Sequence, residues 1–314
     1  MSAILIVGAL LQDITFLVDN WPVRDKVVYV EDFSTKITSP GGKALNTAVA
    51  VARLGGKSIV MGCIGQDALG DEIINVLTRE HVDTTFVSRN PIGNTGVVGI
   101  IIQTDMRENP GYISAPGASL TLTEEVIEHS AANITKDTIV IVNYEIPQPL
   151  ISKVLSIAKS KGATTILNPA PMKVLPHDLN YWHLIDYIIP NLDEAKNIIK
   201  ENLTSTKDLA RAFFRLGVKG VCITLGADGC YFETQTEQIS APKYDVSVID
   251  AVGASDAFCA AFALGLVERM NMNQVLNFAT GAAGIACTKA GGMPSMPYRE
   301  EVNKLVNTRK EVRG

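Results

Sequence analysis

Asp250-Ala251-Val252-Gly253-Ala254-Ser255-Asp256 runs without a break into Ala257-Phe258-Cys259-Ala260-Ala261-Phe262-Ala263-Leu264-Gly265-Leu266. A turn of small residues feeds an apolar helix, with one carboxylate at the junction. Phe258, Ala261, Phe262, Gly265 and Leu266 recur at the spacing of a helix face. N–H groups at a helix start lack an intrahelical acceptor and carry partial positive charge, which suits an anion. Gly253, Ala254 and Ser255 are small enough for a phosphoryl group to approach those amides. Asp256 stands beside them, where a base takes a proton from a hydroxyl. An anion hole next to a base is what phosphoryl transfer to an alcohol requires. The same residues also make an ordinary helix cap, so the rest of the chain has to decide.

Outward from this helix, short apolar runs at residues 4–7, 59–62, 138–142, 165–167, 187–189 and 221–224 read as buried parallel strands. Helical patterns lie between them. Leu45, Ala48, Val49 and Ala52 share one face, and Thr123-Glu124-Glu125 and Thr206-Lys207-Asp208 look like helix starts. The alternation predicts an α/β fold, a doubly wound, mainly parallel sheet with helices on both faces. Ligands of such sheets bind at the carboxyl ends of the strands.

Two segments break the rhythm. Residues 14–38 and 96–112 carry strand signals without helices, at Val27-Val28-Tyr29-Val30, Phe33-Ser34-Thr35-Lys36-Ile37 and residues 97–103. They are expected to pair as a small β-sheet lid, leaving residues 1–13, 39–95 and 113–314 as the main domain. A lid excludes water from a site. Its apolar face would also serve as a homodimer surface.

The 314 residues are 46% hydrophobic and 19% charged, with a net charge of −5. This describes a globular protein with ample core and no basic footprint for nucleic acid or membrane. The five cysteines, Cys63, Cys222, Cys230, Cys259 and Cys287, show no CxxC spacing. They read as free thiols of a cytoplasmic protein. The apolar start, Met1 to Gly8, reads as a buried first strand rather than a leader. His81, His129, His177 and His183 show no metal-ligand spacing.

Three further stretches carry chemistry. In Pro40-Gly41-Gly42-Lys43-Ala44-Leu45-Asn46 the glycines admit a ligand, and Lys43 and Asn46 share one helix side, a pairing suited to a polyhydroxylated ligand. Asn191 and Glu194 follow a strand end, where Asn191 suits phosphate and Glu194 a water of Mg²⁺, or the two form a capping box. Thr224, Gly226 and Gly229 also follow a strand and leave room for a nucleotide, although such turns are common hairpin connections. Leu54-Gly55-Gly56-Lys57-Ser58 is no Walker loop, because Val51 stands where its first glycine belongs. No GxGxxG opens the first βα unit, which disfavours a dinucleotide oxidoreductase.

In this order the stretches resemble the ribokinase-like (PfkB-type) carbohydrate kinases, the ribokinase branch above others. The resemblance extends through Asn168-Pro169-Ala170-Pro171 and Pro294-Ser295-Met296-Pro297-Tyr298-Arg299-Glu300-Glu301. It implies transfer of the ATP γ-phosphoryl group to a primary hydroxyl of a pentose-like sugar. By resemblance, Asp256 is the base, with residues 253–256 as anion hole. Asp13, Gly42, Lys43, Asn46 and Glu145 hold the sugar; Asn191, Thr224, Gly226, Gly229 and Thr280 hold ATP. Asp250, Val252, Ala286, Lys289, Gly291 and Ser295 fall where ribokinases bind an activating K⁺.

The sequence departs from the family at three places. Leu11 stands for a usual Asn, Ala251 for a usual Thr and Ser255 for a usual Gly. Losing a hydrogen-bonding group at Leu11 redirects acceptor choice, for example towards a deoxy sugar. Two alternatives stay open: a nucleoside kinase, and a sugar- or nucleotide-binding protein with impaired catalysis.

Overall fold

Ile4, Leu5, Ile6 and Val7 are all at most 2% exposed, so their strand has apolar neighbours on both faces. The computed structural model describes residues 2–30, 37–103, 110–171 and 180–311. In chain order the strands are β1 (Ala3–Val7), β2 (Leu11–Val18), β3 (Ile37–Gly41), β4 (Lys57–Gly65), β5 (Asp83–Asn90), β6 (Thr95–Gln103) and β7 (Gly111–Gly117), then β8 (Ile139–Asn143), β9 (Thr164–Asn168), β10 (Tyr187–Ile188), β11 (Gly220–Thr224), β12 (Cys230–Thr234) and β13 (Gln238–Ala241). The helices used below are α1 (Lys43–Arg53), α2 (Ala68–Arg79), α3 (Glu124–Ser130), α4 (Gln148–Ser160), α5 (Leu192–Ile199), α6 (Thr206–Leu216), α7 (Ala254–Val267) and α8 (Met272–Cys287).

Nine strands form the main sheet in the order β13-β12-β11-β10-β9-β8-β1-β4-β5. β11 to β5 run parallel, and β12 and β13 close one edge antiparallel. Strand alternation sends Ile4 and Ile6 towards α1, α7 and α8, and Leu5 and Val7 towards α4 and α6. This is the doubly wound α/β sheet expected from the sequence. The chain leaves β1 for β4 on one side and returns to β8 on the other. The crevice of such a reversal opens at the carboxyl ends of the strands.

α7 is buried from Asp256 to Gly265, because it lies between α1 and α8. Phe262 packs edge-on against Tyr187 at 5.5 Å and stacks on Phe258 at 6.4 Å between centroids. Truncating an aromatic in such a core costs roughly 3–5 kcal/mol. The start of α7, and Asp256 with it, is therefore anchored by a helix buried over most of its length. All five cysteines are free thiols.

A second, smaller sheet has the order β3-β2-β6-β7. β2 runs parallel to β6, and the outer pairs are antiparallel. It is the small separate sheet that the strand signals predict. One expectation fails: Val27 to Val30 form no strand. Val27 and Tyr29 are 74% and 80% exposed, so β-propensity there finds no edge to pair with. The signal at residues 33–36 lies outside the described residues. β2, β5, β7, β12 and β13 add to the strands read from the sequence.

Candidate active site

Two glycines set the first half of the site. Gly42 caps α1 with φ of 90°, a conformation that L side chains rarely adopt. A Cβ on Gly41 would lie 2.0 Å from the Asp13 carboxylate, so only glycine lets that carboxylate lie on the turn. β2 carries Asp13, which pairs with Ser39 in the β2–β3 ladder, and Gly41 pairs with Leu11 two residues away. The turn delivers Lys43 and Asn46 to the first turn of α1. Glu145, just after β8, accepts the Lys43 backbone N–H at 3.0 Å.

The second half is the start of α7. Gly253 has φ of 83°, and a Cβ there would meet Met296 at 2.6 Å. The chain can thus turn sharply into α7 and present Asp256, which is 2% exposed. Asn46 Nδ2 donates to Asp256 Oδ2 at 2.9 Å, and Lys43 Nζ lies 3.4 Å from both Oδ1 and Ser255 Oγ. Among the four amides at residues 253–256, that of Ala254 reaches Ala251 O at 3.3 Å and that of Asp256 reaches Gly253 O at 3.1 Å. Those of Gly253 and Ser255 have no acceptor among the described residues.

Charge is concentrated here. Burial, reinforced by Glu145 and Asp256, raises the Asp13 pKa to about 7. Burial opposes the charge on Lys43, but Asp256 and Glu145 outweigh it and hold the ammonium protonated. Asn46 Oδ1 is buried with no hydrogen-bond partner. Buried acceptors are nearly always paired, so this atom, next to Asp13 and Asp256, awaits a donor.

Beyond α7 lies a cleft of about 430 Å³ lined by Asn191, Thr224, Gly226, Gly229, Ala254, Ser255 and Thr280. The Thr224 to Gly229 turn is the β11–β12 hairpin connection. The cleft's other wall is Lys243, Tyr244, Val246 and Val248, with the small residues Ala283 and Gly284 of α8. The residues at 243–248 carry no motif, so the sequence reading missed them. Asn191 and Glu194 form a reciprocal capping box at 2.7 and 2.8 Å. Burial raises the Glu194 pKa, and Lys43 and Asp256 lie within its Coulombic reach. The Thr280 hydroxyl donates to Leu276 O at 2.8 Å.

Asp250 ties two loops together, accepting the Val252 N–H at 2.9 Å and the Gly291 N–H at 2.8 Å. Ser295 Oγ donates to Gly292 O at 2.7 Å and lies 3.5 Å from Val252 O. Lys289 directs its ammonium to Glu301 at 2.7 Å, and its backbone N–H reaches Ala286 O at 3.2 Å. Among the described residues no group of three or more His, Cys, Asp or Glu could hold a metal ion. A cation at these loops would therefore rely on backbone carbonyls.

Asn143 escaped the sequence reading. It is fully buried at the end of β8, and both its side-chain polar atoms lack partners. The signal was a polar residue closing the apolar run Ile139-Val140-Ile141-Val142. Gln12, in β2 next to Asp13, is also buried with both polar atoms unpartnered.

This arrangement sets an oriented carboxylate and a cation between a polar pocket and a cleft, the layout needed to activate a hydroxyl towards a phosphoryl donor. Known proteins resemble the chain over nearly its whole length. The pfkB family carbohydrate kinase model matches residues 1–299. The chain is 33% identical over 312 residues to a ribokinase of Staphylococcus aureus, covering 97% of this chain and 99% of that one. It is 25% identical over 308 residues to a deoxyribokinase of Salmonella typhi, covering 97% and 98%. The structure of an Arabidopsis thaliana ribokinase complexed with ribose and ATP superposes with a TM-score of 0.84 at 27% identity, covering 98% of this chain and 99% of that one. The chain belongs to the pfkB family of carbohydrate kinases and is an ATP-dependent sugar kinase.

Proposed function

We propose that the chain phosphorylates a primary hydroxyl of a pentose of the ribose or deoxyribose type, with Asp256 as general base. The carrying observation is the buried, unpartnered Asn46 Oδ1 next to Asp13 and Asp256. An amide whose Nδ2 fixes the base and whose Oδ1 lacks a donor suits a sugar hydroxyl. Asp13 and the Gly42 turn accept further hydroxyls, and Glu145 braces the Lys43 backbone.

Asp256 takes the proton of the acceptor hydroxyl as its oxygen bonds to the γ-phosphorus. The bond from that phosphorus to the β–γ bridging oxygen breaks, and ADP leaves. The amides of Gly253 and Ser255, with Ala254 and Asp256 beside them, face the transferring group, and Lys43 offsets its charge. ATP lies in the cleft of Asn191, Thr224, Gly226, Gly229 and Thr280. Mg²⁺ neutralises phosphate charge when bound, and Glu194 would hold it through water. K⁺ would stabilise the loops of Asp250, Val252, Gly291 and Ser295 and the chain at Ala286 and Lys289.

Leu11 narrows the acceptor. It lies on the same face of β2 as Asp13 and offers no hydrogen bond. A site with a leucine there does not penalise an acceptor lacking the hydroxyl on that side. ADP release measured across pentoses, deoxypentoses, hexoses and nucleosides, in KCl and in NaCl, tests this reading. A pentose or deoxypentose is expected to give the highest kcat/KM, with faster turnover in KCl. Preference for a hexose or a nucleoside would overturn the pentose assignment, and equal rates in both salts would remove K⁺.

The outer face of the small sheet carries Ile113, which is 67% exposed, with Ile14 and Ile101 partly exposed on the same side. We assign a homodimer to this face, as apolar patches mark association surfaces. The five free thiols fit a reducing cytoplasm.

A further inference from the structure

The two faces of the small sheet differ in what they meet. Asp13 pairs with Val98, and Val98 with Ser114; Thr15 pairs with Ile100, and Ile100 with Tyr112. Residues paired across a ladder put their side chains on one face. Tyr112 therefore shares a face with Ile100, which is 2% exposed and packs on Val252 in the loop that leads into α7. It also shares that face with Asp13, one row away (roughly 7 Å along the strands) and two strands across (roughly 10 Å). Tyr112 thus stands over the active site, whereas Ile113 points the other way.

Tyr112 is 59% exposed, which leaves its side chain open to a ligand. Desolvation raises the pKa of its hydroxyl to about 12, and the group feels the charges of Lys43, Asp250, Asp256 and Asp13. The group therefore stays a neutral O–H, able to donate and accept, throughout the range where enzymes work.

We propose that Tyr112 is a specificity-determining residue that hydrogen-bonds a hydroxyl of the acceptor sugar from the lid side of the pocket. The proposal rests on the pentose reading above. Leu11 and Tyr112 sit on the same sheet face on opposite sides of Asp13's row, and they divide the pocket chemically. The Leu11 side is apolar and tolerates a missing hydroxyl. The Tyr112 side recognises one that is present.

The test is the kinetics of the wild type, Tyr112→Phe and Tyr112→Ala with the preferred acceptor and with its deoxy analogues. Tyr112→Phe keeps the ring and removes only the hydroxyl. It is expected to raise KM for the sugar about tenfold, as for one lost hydrogen bond. KM for ATP and kcat should stay within about twofold. One deoxy analogue should cost the wild type about tenfold and cost Tyr112→Phe nothing more. Tyr112→Ala, with its melting temperature checked, should add a further loss from the missing ring. An unchanged sugar KM in Tyr112→Phe, or an equal rise for ATP, would overturn the proposal while leaving the pentose kinase intact. Absence of turnover with every pentose in the wild type would overturn both.

Discussion

Asp13 is the residue whose protonation the fold disturbs most clearly within the pocket. It is 5% exposed, and its pKa rises to about 7, first through burial and then through Glu145 and Asp256. A carboxyl whose folded pKa exceeds its unfolded one binds its proton more tightly when folded. Its stabilising contribution is thus present below about pH 4 and lost as pH rises towards 7. Asp13→Asn should make the sugar-free protein more stable at pH 8 by on the order of a few kcal/mol, with little gain at pH 4. Thermal melts at the two pH values check this, and a gain independent of pH would contradict it. The same substitution should weaken sugar binding, because a carboxylate accepts a hydroxyl proton more strongly than an amide. In the wild type, KM for the sugar should rise as pH falls below about 7, as Asp13 protonates.

At the scale of elements, α1 is fastened to the chain that follows α8. Arg53 forms a two-pronged pair with Glu80 at 2.7 and 2.9 Å and donates to Met296 O at 2.8 Å. It also lies 4.8 Å over the Tyr298 ring. Its side chain is 10% exposed, and removing one partner of such a pair costs about 3 kcal/mol. Arg53→Ala should lower Tm by several degrees and raise KM for the sugar, since α1 carries Lys43 and Asn46. An unchanged Tm would contradict this role. Elements of this kind were only partly legible in the sequence. β1, β4, β8, β9, β10 and β11 announce themselves as unbroken apolar runs because both their faces are covered. β5 and β7 are half-exposed and polar in places, so their pairing depends on neighbours that no local pattern names. Val27 to Val30 show the converse, a strand composition with no partner strand among the described residues. At the site, Gly41, Gly42, Lys43, Asn46 and Asp256 were readable because a turn and a helix start constrain residue type. Asn143, Gln12 and Tyr112 were not, since their meaning lies in what the tertiary fold leaves unpaired beside them.

For the molecule as a whole, the two sheets divide the labour. The main sheet anchors α7 and the cleft beyond it, and the small sheet bears Asp13 on one face and Ile113 on the other. Ile113→Lys should convert a dimer into a monomer in analytical ultracentrifugation. A wild type that sediments as a monomer would remove the homodimer. Central to the proposed function is that the Asp256 carboxylate, oriented by Asn46 and flanked by Lys43, removes a proton from the acceptor hydroxyl. The most direct measurement is turnover of Asp256→Asn alongside its sugar affinity. Turnover should fall by on the order of a hundredfold or more, with the fold intact and the sugar still bound. Near-normal ADP release by a folded Asp256→Asn protein would contradict it.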